Sequence, residues 1–208
     1  MPLDFAISAL LTLFVVVDPV GLVPAFLVVT EGLPAAARRN VALRASMIGG
    51  AILIGAALLG DWLFRTLGIS LSAFRIAGGL LLFSIASEMV FGVRLRRESE
   101  VAEEAVEERA HNVAAFPLAI PLMAGPGAIT ATVLLAGRAD GNLLLAGLLI
   151  AVVVSVAIAC FAAFSSATRI ERLLGITGNI VLSRLLGVLL AALAVQFVVD
   201  GVRAIFAG

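Results

Sequence analysis

Two short stretches of this chain hold residue types that could do chemistry in apolar surroundings. One is Asp18-Pro19-Val20-Gly21-Leu22-Val23-Pro24; the other is Gly125-Pro126-Gly127-Ala128. Proline lacks the N–H and its ring clashes with the preceding turn, so Pro19, Gly21 and Pro24 should break a helix, not just bend it. Pro117 and Pro121 add breaks ahead of the second stretch. A broken helix leaves carbonyls open on one side of the gap and N–H groups on the other. Such a gap suits a small zwitterion, with its carboxylate at the N–H end and its ammonium at the carbonyl end. Asp18 adds a carboxylate, which in a lipid-embedded run is costly and must face a cavity or a partner. It could pair with an ammonium, carry a proton or ligate a cation. It also fits as the N-cap of a half-helix starting at Pro19. The competing reading is a pair of kinks that serve packing alone.

Both stretches lie inside long apolar runs. The chain has 208 residues, 62% hydrophobic and 13% charged, with a mean hydropathy of +1.18. A soluble domain could not cover itself with polar side chains at that composition. Six runs, at 6–30, 41–64, 71–92, 113–137, 143–167 and 180–206, each reach the ~20 residues that cross a hydrocarbon core as a helix. The first run is expected not to be a cleaved signal, since no Arg or Lys precedes it and it continues through Asp18-Pro19. One cysteine excludes an internal disulfide, and a single loop histidine, His111, makes a metal site unexpected. Zero net charge argues against a nucleic-acid partner.

The chain also matches itself. At an offset of 107, Arg65-Thr66-Leu67-Gly68-Ile69-Ser70 lies over Arg172-Leu173-Leu174-Gly175-Ile176-Thr177, and Pro19 lies over Pro126. At 109, Arg75 lies over Arg184, Gly78 over Gly187, and Gly92-Val93-Arg94 over Gly201-Val202-Arg203. Each half holds three runs, an odd number, so the second half enters the membrane from the opposite side. The expected fold is therefore an all-α membrane protein: six transmembrane helices as two inverted three-helix repeats, with helices one and four broken. Residues 1–93 form the first repeat, 94–112 a charged linker and 113–208 the second repeat.

Arginine counts orient the chain. Arg38, Arg39, Arg44, Arg94, Arg96, Arg97, Arg109, Arg169 and Arg172 fall on one side, against Arg65, Arg138 and Arg203 on the other. That places the linker in the cytoplasm and both termini in the periplasm of an inner-membrane protein. The linker carries Glu98, Glu100, Glu103, Glu104, Glu107 and Glu108, and reads as a solvated connection or short surface helix. Arg75 and Arg184, inside runs three and six, either snorkel to the interface or pair with carbonyls freed by the broken helices. Runs two and five read as scaffold, with small-residue pairs such as Ser46/Gly50 and a stripe at Ala151, Ser155, Ala159 and Ala163.

The two broken stretches, Phe74-Arg75-Ile76-Ala77-Gly78-Gly79, the run from Pro117 to Thr130, and Arg184-Leu185-Leu186-Gly187 through Ala194-Val195-Gln196-Phe197 resemble the MarC family of bacterial and archaeal membrane proteins. The resemblance extends over nearly the whole chain. It implies a likeness to small neutral amino acid transporters, grouped with lysine-exporter-like proteins. The leading expectation is a secondary transporter of glycine, alanine and, at the upper size limit, serine. Its solute would sit mid-membrane against Asp18, Pro19, Val20 and Gly21 and against Gly125, Pro126, Gly127 and Ala128, with Arg75 and Arg184 as supporting charges. No phosphate-binding G-x-x-x-x-G-K-[ST] is present, so no nucleotide or other cofactor is expected, and coupling would be to H⁺ or Na⁺. The partners expected are a small solute, membrane lipid and, as an option, a second copy of the chain. Alternatives are an exporter or channel for another small solute, or a membrane protein with no transport role. An enzyme is not expected, because no acid–base or nucleophile cluster lies within the runs.

Overall fold

Apolar runs punctuated by glycine, proline and small caps become helices in the computed structural model, which describes residues 2–107, 112–139 and 141–206. Arg109 and His111 lie outside the described residues. The helices are α1 (Pro2–Val17), α2 (Val23–Val29), α3 (Ala35–Leu67), α4 (Leu71–Phe91), α5 (Val93–Glu107), α6 (Pro126–Ala139), α7 (Leu143–Ser165) and α8 (Ala167–Phe206). Between α5 and α6 runs a loosely wound stretch, Ala114–Met123, whose backbone is extended at Phe116 and Ile120, each preceding a cis proline. No strand occurs among the described residues. The starts are capped as the side chains dictate: Ser70 Oγ accepts from the Ala73 N–H at 3.2 Å, and Asn142 Oδ1 from Leu144 at 2.9 Å.

Four helical segments are long and apolar enough to cross a membrane: Ala35–Gly60, Leu71–Phe91, Leu143–Ser165 and Thr177–Phe206. Ala114–Met123 and α6, bent by 59°, qualify together as a fifth. α1 is apolar, but its 16 residues fall short of a span by themselves. Large apolar side chains such as Leu80, Leu81, Leu185 and Leu189 point outward, as lipid-facing surfaces do.

Three expectations change here. The linker is not simply solvated: α5 buries Arg94, Glu98 and Ala102, a stripe four residues apart, and leaves Glu100, Glu103 and Glu104 outside. The connection before the last run is helical, because α8 starts at Ala167 and breaks only at Gly175 (φ 61°, ψ −178°). In α7, Ala151 and Ser155 of the small-residue stripe are exposed, and Val152, Val156, Cys160 and Phe164 face the core. In α3 the close approach does occur, since a Cβ at Gly50 would meet Ala157 of α7.

α4 and α8 form the most extensive helix pair, running antiparallel. A Cβ at Gly79 would strike the Ala194 carbonyl and Val198, and one at Gly187 would strike Met89 and the Ala86 carbonyl. The ends of this pair are reciprocal: Gly92 faces Arg184, and Gly201 faces Arg75. Gly68 and Gly175 both hold left-handed backbone, at φ 69° and 61°. Only glycine adopts that conformation without a steric cost.

Candidate binding site

Each half-helix break has its own local cause. α1 ends where Asp18 takes left-handed backbone at φ 53°, the sole positive-φ residue other than glycine among those described. A short polar side chain tolerates this by bonding locally. Asp18 Oδ1 accepts the Gly21 N–H at 3.0 Å. A Cβ on Gly21 would overlap that carboxylate, so glycine there and Asp18 require each other. Asp18 thus caps a turn, as expected, but the half-helix starts later than Pro19: α2 begins at Val23. The second break is at Ala124–Gly125, where a Cβ on Gly125 would strike the Pro121 carbonyl. Pro126 then opens α6 at the position where its missing N–H costs nothing. Pro126, Gly127 and Ala128 are therefore the first turn of α6, not part of the gap.

Arg94 bonds the first break and borders the cavity at the second. Its guanidinium donates to the Val16 carbonyl at 2.9 Å, through Nε to Glu98 Oε1 at 2.7 Å, and to Met89 Sδ at 3.3 Å. The side chains of Arg94 and Glu98 are each 7% exposed, and Asp18, 3% exposed, lies within electrostatic reach. Burial is the dominant influence on Glu98 and raises its pKa, while Arg94 opposes the rise. The role expected of Arg75 or Arg184, pairing with a carbonyl freed at a break, thus belongs to Arg94. Arg184 is exposed. Arg75 sits at the other end of α4, its Nε buried without a hydrogen-bond partner, in the field of Arg138. Nearby, Arg138 bonds Asp200 at 3.1 Å and lies 4.5 Å above the Phe197 ring.

Six of the eight predicted contact residues fall into two cavities, not one, and Asp18 and Pro19 line neither. A cavity of about 290 Å³ is bounded by Gly125–Ala128 together with Val16, Ile85, Arg94, Arg97 and Glu98. A larger one, about 570 Å³, takes in Val20 and Gly21 with α5 and the α8 hinge, including Ser99, Asn179 and Arg184. Glu98 lines both. The smaller cavity has opposed poles. The first-turn N–H groups of α6 attract a carboxylate, and Glu98 attracts a cation. Among the described residues no group of three or more His, Cys, Asp or Glu could hold a metal. Arg94 and Glu98 were missed as site residues because they sit in a charged linker. Their four-residue spacing, continued by Ala102, is the signal that could have placed them on one buried helix face.

The MarC family integral membrane protein description matches residues 3–206. The chain is 39% identical to the UPF0056 membrane protein YhcE of Escherichia coli, covering 94% of this chain and 91% of that protein. It is 38% identical to a UPF0056 membrane protein of Methanocaldococcus jannaschii over 98% of both, and 36% identical to one of Aquifex aeolicus over 95% and 92%. No solved structure matches the chain. Both breaks, α5 and the α4–α8 pair contribute to one arrangement that no shorter segment could build. The likeness correspondingly extends along the entire chain: it belongs to the MarC family and is a multi-pass integral membrane protein.

Proposed function

We propose that this protein is an inner-membrane secondary transporter of small neutral amino acids, with glycine and alanine as the central substrates. One observation carries this reading: the 290 Å³ cavity at the second break sets the α6 N-terminus against Glu98. A small zwitterion has too little apolar area for burial to hold it, and needs dipoles of opposite sign at its two ends. The cavity lies at the lower edge of the ~300–1,000 Å³ range of ligand pockets, which favours a small solute. Val20 and Gly21 then wall the path beyond Glu98, with Asp18 buried behind the Gly21 N–H that it accepts.

An inverted six-span architecture, proposed with it, accords with this reading. α1 with α2 corresponds to Ala114–Met123 with α6, α3 to α7, and α4 to α8 beyond its hinge. The left-handed glycines Gly68 and Gly175 are repeat-equivalent, and the contact of Gly92 with Arg184 maps onto that of Gly201 with Arg75. Such reciprocity is what a pseudo-two-fold axis between α4 and α8 produces, and transporters with inverted repeats bind at the repeat interface. The arginine bias puts α5 on the cytoplasmic side.

Uptake of labelled glycine into proteoliposomes tests the function. Gly127→Val should abolish uptake, because its side chain enters the cavity against Ile85 and Val16. Competition should weaken from glycine through alanine to serine and vanish at leucine. Uptake unchanged in Gly127→Val would place the solute elsewhere. The larger, mainly apolar cavity favours a second reading, an exporter of a bulkier amphipathic solute. Displacement of labelled glycine by leucine as effectively as by alanine would favour it.

A further inference from the structure

The buried charges between the two cavities do not balance. Asp18 and Glu98 supply two carboxyls, and Arg94 one guanidinium. The other charged groups near Glu98 are committed or exposed. Arg97 pairs with Glu88 of α4 at 2.8 Å, and Arg96 with Glu100 at 3.2 Å. Across the larger cavity α8 presents Glu171 and Arg184, both exposed. α2 and Ala114–Met123, which also pack on α5, contain no ionisable side chain. With all three groups ionised the cluster would keep one uncompensated negative charge out of water, which is strongly unfavourable.

Resting on the transport reading above, we propose that the Asp18–Arg94–Glu98 cluster holds one proton, and that the ammonium of the solute displaces it at Glu98. Solute then moves in exchange for a proton. Proton and solute ammonium each neutralise the excess carboxylate, the solute's own carboxylate being held apart at the α6 N-terminus, so the empty unprotonated cluster is the disfavoured state, and avoiding that state couples the two fluxes. Glu98 is placed for this because it borders both cavities. The larger cavity also offers the departing ammonium its next acceptor. Asn179, 8% exposed, lines that cavity, and its Oδ1 has no hydrogen-bond partner. Two carboxyls this strongly linked titrate as a unit, so the proton belongs to the pair.

Infrared difference spectra of the full-length protein in lipid, without solute, test the proton site directly. At neutral pH the carbonyl stretch of a protonated carboxyl should be present in the native protein. It should be lost in Glu98→Gln and equally in Asp18→Asn, since either change leaves one carboxylate to one guanidinium. Adding glycine should bleach the band and release about one proton per chain, the single excess charge of the cluster. With the membrane potential clamped, acid-inside proteoliposomes should accumulate labelled glycine about tenfold per pH unit. Absence of the band, or its survival in both variants, overturns the proton site. A band that ignores glycine in liposomes that transport glycine overturns the exchange. A titrating band in protein that neither binds nor transports glycine supports the proton site and rejects the small-amino-acid reading instead.

Discussion

Arg94 illustrates how one side chain can tie the linker helix to a distant helix end. It satisfies the open Val16 carbonyl at the end of α1 while pairing with Glu98 on its own helix. Removing one member of a buried ion pair typically costs about 3–5 kcal/mol, because the other charge stays out of water. Arg94→Met should therefore lower stability by roughly that amount in a detergent melt, and Arg94→Met/Glu98→Met should recover most of it. Additive losses in the double variant would show that the two side chains act independently. pH gives a second handle. Burial raises the Glu98 pKa above its unfolded value, so the folded state keeps a proton that the unfolded chain has released. Stability is then greatest below the ordinary carboxylate range and falls as pH rises through the raised value. In Glu98→Gln this decline should flatten, as read from melting temperatures across mildly acidic to neutral buffers.

Among the helices, α4 and α8 meet so closely that side chains beyond hydrogen have no room at their crossing. Gly79 abuts backbone of α8 and Gly187 abuts backbone of α4. Backbone cannot rotate aside as a side-chain tip can, so added carbon must push the helices apart. Gly79→Val should cost roughly 1–3 kcal/mol, the usual penalty of overpacking. Gly55, also on a spanning helix, has nothing within 4 Å of a built Cβ. Gly55→Ala should leave the melt unchanged or slightly raised. Equal effects from the two substitutions would mean that the α4–α8 crossing yields readily. α5 belongs at this scale too: a helix with charges on every side is stable here because one stripe of them, Arg94 and Glu98, is internally paired.

For the molecule as a whole, orientation decides which compartment each cavity serves. α5 lines both cavities, through Glu98, and the orientation proposed from the arginine bias sets it at the cytoplasmic face. Glu104 is exposed on α5, whereas the native Cys160 is fully buried. A Glu104→Cys variant therefore offers one reactive thiol without altering Cys160. It should resist an impermeant maleimide in intact cells and react after permeabilisation. Ready labelling from outside would invert the topology and exchange the compartments assigned to the cavities.

Several features were legible in the sequence alone. Apolar runs determined that the chain is helical and multi-pass, because lipid allows no unpaired backbone. Pro19 and Pro126 marked the broken elements, since a missing N–H acts locally whatever the surroundings. Matched arginines and glycines are the basis of the proposed repeat. Tertiary structure decided what fills the gaps between elements. The four-residue spacing of Arg94, Glu98 and Ala102 puts them on one helix face apart from Arg96, but it does not say that this face turns inward. That choice depends on an open carbonyl at Val16, 78 residues away in sequence. Nor could spacing show that the two breaks open into separate cavities, because helix packing sets the distance between them. A lone residue's conformation follows from its own chemistry. The burial of a charge depends on whether a distant part of the chain brings the group that makes burial tolerable, and only the folded chain supplies that.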